Sequence, residues 1–250
     1  MVRTYASLMK RLAPPAVITT KAEKDLAEKA ATHTLTWFDL VIGLGILSDF
    51  TLSLLDSATH WWYIGNVEVF LSLYLLALLF ARSLRPLLGR LLLAGFIAGL
   101  CELFTDASGQ YVVHSLFYPI GEPMLWTSPL YMPLSWMVIL THLGYGAWRL
   151  RGLWGWRKAA LVCGMWGAIQ IPLYEEMAYY AHWWRYKPTH LMLGHTPLYV
   201  LLFEGLVVAA LPLLYDRIER RAWLHVVIIG FALGAWMPIT ALVSWLLLGW

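Results

Sequence analysis

Seven apolar runs divide the chain: Trp37–Leu55, Val67–Leu84, Leu91–Phe104, Leu130–Trp148, Ala159–Ala178, Leu198–Tyr215 and Val226–Leu248. A helix rises 1.5 Å per residue, so about 20 apolar residues cross a hydrocarbon layer of about 30 Å. The third run is shorter because Glu102 and Asp106 interrupt its end. Backbone groups in lipid have no water to bond, which leaves the helix as the form of each run. The predicted fold is all-α: a bundle of seven transmembrane helices over residues 35–250, preceded by a polar tail, 1–34. The tail lacks the apolar core of a signal peptide and holds a helix-prone piece from Lys21 to Ala31. It reads as an amphipathic collar or a flexible tail.

Composition agrees with that pattern. The chain is 60% hydrophobic and 13% charged with a mean hydropathy of +0.63, where soluble domains carry about 25% charged residues. Once seven spans are subtracted, 250 residues leave no room for a second globular domain. The basic residues set the orientation. Sixteen of the 18 Lys and Arg fall in the tail and in the second, fourth and sixth loops, leaving Arg185 and Lys187 on the other side. Cytoplasmic loops carry the Lys/Arg excess, so the N-terminus is expected inside and the C-terminus outside. This scatter of basic residues excludes a nucleic-acid stripe despite the net charge of +3. Cys101 and Cys163 lie within spans and read as small hydrophobes, without a disulfide.

The outer side differs in kind. Its loops hold His60, His114, His182, His190 and His195 among many Trp and Tyr, which aromatic girdles at interfaces largely explain. The acids need another account. Asp49, Asp56, Glu68, Glu102, Asp106, Glu175, Glu176 and Glu204 all fall in the outer halves of spans or at their outer ends. A carboxylate at the centre of a spanning helix costs about 2.5–3.5 kcal/mol on insertion scales, so such groups face the bundle interior and mark a site. No Lys or Arg lies at those depths to pair with them. Crowding carboxyl groups in a medium of low dielectric favours retention of a proton, which a general acid requires. Glu102 and Asp106 share a helix face, as do Glu176 and Tyr179.

The chain also repeats itself. A shift of 68 residues aligns Tyr111–Tyr118 with Tyr179–Tyr186, Met124-Leu125 with Met192-Leu193, and Ser128–Tyr131 with Thr196–Tyr199; nine of the 24 positions from Tyr111 to Leu134 are identical. Each copy is a helix end, an outer loop and a helix start, which predicts a parallel repeat with a pocket at its interface. The shared [Ser/Thr]-Pro-Leu-Tyr predicts a helix start with Pro in the first turn and Ser or Thr as its cap.

Acid-rich helix ends followed by an aromatic loop and a Pro-led helix, twice over, resemble the membrane-bound bacterial carotenoid enzymes, the lycopene-cyclase domains and the carotenoid hydratases. The segment Ile171-Pro172-Leu173-Tyr174-Glu175-Glu176-Met177-Ala178-Tyr179-Tyr180 is similar to the Pro-x-Glu-Glu segment of those cyclases, although its acids sit one residue farther from Pro172 and the first copy has no Pro before Glu102. The resemblance implies protonation of a polyene double bond by a carboxylic acid, steering of the carbocation by aromatic faces, and a bacterial inner-membrane location.

The leading expectation is an enzyme that modifies an isoprenoid or other lipid by cyclisation, hydration or isomerisation. Asp106 and Glu176 are its first candidate catalytic residues, with Glu102, Glu175 and Glu204 as partners. Tyr111, Tyr131, Tyr179, Tyr199, His114, His182 and Trp183 would shape the substrate pocket. No cofactor is predicted. A metal held by His60, His114, His182 and His195 with nearby carboxylates is the second reading, although no His pair has helical ligand spacing. A transporter, or a subunit packed against a membrane-protein partner or a second copy, is the third.

Overall fold

In the computed structural model, residues 35–250 are described except for 61, 62, 84, 85, 120 and 250. The expected tail, 1–34, lies outside the described residues, as do Trp61, Trp62 and Arg85 of the first two loops. The fold is all-α apart from three two-stranded ladders. Six α-helices are described: α1 Trp37–Thr59, α2 Tyr63–Ser83, α3 Pro86–Tyr111, α4 Met132–Ala181, α5 Leu198–Leu214 and α6 Trp223–Leu248. Short strands β1 Leu116–Phe117, β2 Met124–Leu125 and β3 Ser128–Pro129 lie between α3 and α4. Strands β4 Arg185–Tyr186, β5 Met192–Leu193 and β6 Thr196–Pro197 lie between α4 and α5.

Helices α1, α3 and α6 are each long and apolar enough to cross a membrane, and Asn66–Ala81 and α5 are shorter apolar helices. Their outward faces carry large side chains that water would penalise, among them Leu40 at 64%, Leu224 at 69% and Leu247 at 65% exposure. This is a membrane protein.

The sequence reading expected seven helices, and α4 spans two of the expected segments. Its 50 residues would run about 75 Å if straight. Gly155, at φ +75° and ψ 166°, interrupts the helix in a conformation that disfavours any side chain. The first half begins after the β1–β3 loop and the second half ends at the β4–β6 loop. Because β1 pairs with β4, those two ends lie together, so the chain reverses at Gly155.

The repeat has a structural counterpart in its hairpins and turns. Met124↔Pro129 and Leu125↔Ser128 in one hairpin correspond, at the 68-residue shift, to Met192↔Pro197 and Leu193↔Thr196 in the other. His114 and His182 share a left-handed backbone (φ +54° and +61°), as do Trp126 and Gly194 (φ +57° and +60°). The copies also pair with each other. Phe117 and its equivalent Arg185 face one another across the antiparallel β1–β4 ladder, the arrangement a local twofold axis produces.

Close helix crossings use equivalent glycines. Gly99 on α3 lies against the Pro133 carbonyl, and its equivalent Gly167 on α4 lies against the Glu204 carbonyl. Small residues let helix backbones approach where lipid supplies no hydrophobic drive. Helix α1 is fixed differently. Asp39 caps it with Thr36 and accepts from Tyr145 Oη at 2.7 Å and pairs with Arg149 at 2.8 Å on α4.

Two expectations are corrected. Helix α3 runs through Glu102 and Asp106 to Tyr111 instead of ending at Phe104, because the acids turn inward and the helical ladder continues past them. Ser128 and Thr196 cap no helix. They lie in β3 and β6, α4 begins at Met132 and α5 at Leu198, and neither has a side-chain cap. The Ser128 hydroxyl is taken by Asp106 instead.

Candidate functional site

A cavity of about 1150 Å³ opens among the helices, walled by Glu102, Asp106, Glu175 and Glu204 and, on its α1–α2 side, by Asp49 and Glu68. No Lys or Arg contributes to its wall among the described residues.

Acids on the helix preceding each repeat copy face the cavity. On α3, Asp106 Oδ2 accepts from Tyr118 Oη at 2.5 Å and Ser128 Oγ at 2.6 Å. Glu102 stands one turn back on the same helix, and its Oε2 has no hydrogen-bond partner among the described residues. On α4, Glu175 accepts from Trp184 Nε1 at 2.6 Å and Tyr186 Oη at 3.5 Å. Tyr118 and Tyr186 are repeat equivalents, so each copy folds its loop tyrosine back onto its own helix acid. Burial beside these acids pushes both phenols well above their usual range, which keeps them as donors. Glu204 on α5 faces the same space and has no hydrogen-bond partner among the described residues.

The second acid set ties the first two helices together. Ser53 Oγ donates to Glu68 Oε2 at 2.9 Å, and one turn away Ser72 donates to Asp49. Asp49 also meets His142 Nδ1 of α4 at 3.1 Å. Ser72 and His142 stand between the main cavity and a smaller one of about 400 Å³.

The predicted site residues divide accordingly. Asp106, Glu102, Glu175 and Glu204 meet at the cavity, and Tyr199 joins them, bonded to Ser115 at 2.7 Å. Glu176 does not. It points along the helix to the β5–β6 hairpin, accepting from the His195 backbone N–H at 2.6 Å and meeting His195 Nδ1 at 2.8 Å. In the first copy, Gln110 donates to the carbonyl of Thr127, the equivalent of His195, at 2.7 Å. Both copies therefore clamp the hairpin at one position, with opposite hydrogen-bond polarity. Glu176→Gln is expected to leave any turnover intact and lower stability by about 1 kcal/mol, read as a small fall in melting temperature.

Tyr179 stacks on His195 at 3.6 Å. Tyr111, His114 and His182 are exposed, Tyr131 is buried outside the cavity wall, and Trp183 packs on Tyr174 and Trp184 behind it. Among the described residues no three His, Cys, Asp or Glu side chains are placed to hold a metal. His60 sits 5.4 Å from the His182 ring, while His195 is engaged by Glu176.

Sequence reasoning gave no site role to Tyr118, Ser128, Trp184, Tyr186 and His142. The repeat marks Tyr118 and Tyr186 as equivalents, and that was the available signal. It also passed over Glu122 in the β1–β2 loop, whose two oxygens are buried without a hydrogen-bond partner among the described residues. Burial and the nearby Asp56 carboxylate push Glu122 up to about 7. An acid raised on folding stabilises fully below its unfolded value and loses that contribution as pH rises through its folded value. Stability should thus fall between about pH 4.5 and about 7. Glu122→Gln should flatten that slope in melting curves.

A family model matches residues 103–248, more than half of the chain, and carries the description domain of unknown function (DUF6989). The chain belongs to that family. No curated protein and no solved structure matches it. The DUF6989 region holds both repeat copies, three of the four convergent acids and His142. Helices α1 and α2, which bring Asp49 and Glu68, precede it.

Proposed function

We propose that this DUF6989 protein is a seven-span enzyme, N-terminus cytoplasmic, that modifies an isoprenoid or other membrane lipid by carboxyl acid–base chemistry. The observation that carries this reading is the convergence of Glu102, Asp106, Glu175 and Glu204 on one cavity whose described wall offers no Lys or Arg. Two buried carboxyl groups one helical turn apart, as Glu102 and Asp106 are, favour keeping a proton over carrying two charges, and that proton is available to a double bond. In the step proposed, Asp106 gives the proton to one alkene carbon and a carbocation forms at the other. Aromatic faces such as Trp136 and Trp184 stabilise it. Glu175 or Glu204 then removes a proton from a neighbouring carbon, or from an attacking water, and returns the acid count to its start.

The resemblance to carotenoid cyclases and hydratases supports this class, and a bacterial inner membrane is the location it implies. The division of α4 at Gly155 and the placement of 16 of 18 basic residues on one side support seven crossings. They support an outer position for the hairpin end of the bundle. A proton-coupled transporter is a second reading, favoured by the Asp49–His142 contact between two cavities.

The test is to replace Glu102, Asp106, Glu175 and Glu204 singly by their amides and follow membrane lipids by mass spectrometry. The enzymatic reading expects product to fall in at least Asp106→Asn. Unchanged lipid profiles in all four would refute it, and proton-driven uptake with those profiles unchanged would favour the transporter.

A further inference from the structure

The cavity is not uniform along its length. Its hairpin end carries the carboxyl groups, tyrosines and Trp184. Below the level of His142 and Gln170 its wall is apolar, formed by Leu143, Gly146 and Leu150 of the first half of α4 and Val162, Trp166 and Ile169 of the second. From Trp136 to Leu150 the wall follows α4 for about 21 Å.

Several wall residues are also open to the outside of the bundle. Leu47 and Phe50 on α1 are 59% and 44% exposed, and Ile169 and Leu173 on α4 are 63% and 59% exposed. An opening edged by such side chains admits apolar chains from lipid rather than solutes from water. Gly146 stands on the apolar stretch of the wall, and a Cβ there would meet nothing within 4 Å. It is not a glycine of close helix packing, and its missing side chain leaves room in the cavity.

The geometry points to a lipid tail site: a single extended apolar chain enters between α1 and the second half of α4, lies along α4 with its polar or unsaturated end at the carboxyl groups, and is measured by Gly146. This rests on the reading of the cavity as a lipid site and adds to it the shape of the ligand and a residue that sets its length. Chains that stop short of Gly146 leave apolar wall uncovered, and each further chain segment adds packing contacts with the wall until the end is reached. A large side chain at 146 shortens the trough from below without touching the acids.

The test uses the full chain in lipid nanodiscs, with tritiated geranylgeraniol as the probe and geraniol, geranylgeraniol and oleyl alcohol as competitors. Wild type is expected to bind the probe saturably and to prefer geranylgeraniol over geraniol by tenfold or more. Gly146→Phe should lower geranylgeraniol affinity at least tenfold, leave geraniol unchanged and keep the wild-type melting temperature. Gly146→Ala should retain most of the preference, and Asp106→Asn should retain all of it. Oleyl alcohol competing as well as geranylgeraniol supports the trough with an acyl chain as its occupant, and failure to compete supports it with a prenyl chain. The inference is overturned by absent saturable binding, or by an unchanged long-to-short ratio in folded Gly146→Phe. If binding behaves as stated while all four amide variants leave lipids unchanged, the tail site stands and the acid chemistry falls.

Discussion

Asp106→Asn should reduce lipid conversion by about 10²-fold or more, the contribution expected of a positioned general acid. The change is chosen because the fold can keep it. Tyr118 and Ser128 both donate to Asp106 Oδ2, and an amide oxygen accepts those bonds as well. What is lost is the acidic proton. Accumulation of one lipid species in membranes from cells expressing the variant, with a melting temperature within a few degrees of wild type, is the expected result. Glu176→Gln is its natural control: Glu176 sits one residue from Glu175 but serves the hairpin clamp, so its conversion should equal that of wild type.

The largest effect on stability is expected at Gly99. A Cβ there collides with the Pro133 carbonyl oxygen and lies 3.2 Å from Trp136 Cβ. A backbone oxygen held in the first turn of α4 has nowhere to go, so α3 and α4 must separate. Overpacking of this kind costs about 1–3 kcal/mol, and Gly99→Val should reach the upper end. For a chain of this size about 3 kcal/mol corresponds to a fall of about 6–12 °C in melting temperature. Activity should fall with it, because Trp136 at that same seam lines the cavity. Gly43→Ala, whose added methyl meets nothing within 4 Å, should leave the melting temperature unchanged or slightly higher.

Much of this arrangement was legible beforehand because it depends on periodicities the chain carries openly. Apolar run length located the helices, and Leu198–Tyr215 was placed to within one residue of the observed α5. The 68-residue repeat located both loops, although not the hairpins within them. Unpaired acids at similar depth announced a shared cavity, and four of the five named catalytic candidates line it. The failures have a common cause. Glu175 and Glu176 are neighbours, and adjacent helix residues point about 100° apart, so only one of them can face the cavity. Sequence gave no means of choosing, since the partner that claims Glu176, His195, lies 19 residues away on a hairpin. Ser128 was misread for a related reason: a Ser before Pro suits a cap locally, but a buried carboxylate 22 residues earlier is the stronger acceptor. The donors Tyr118 and Tyr186 owe their roles to loops folding back over the helix ends, which local pattern does not encode.

The central claim, that a lipid occupies the hollow beneath these acids and reacts there, is tested most directly by identifying what the purified protein carries. Mass spectrometry of lipids extracted from wild type and from Asp106→Asn, compared with the surrounding membrane, should reveal one long-chain species enriched in the variant and its chemically altered form in wild type. Two extracts that match each other and the bulk membrane, with no species enriched, would contradict the account.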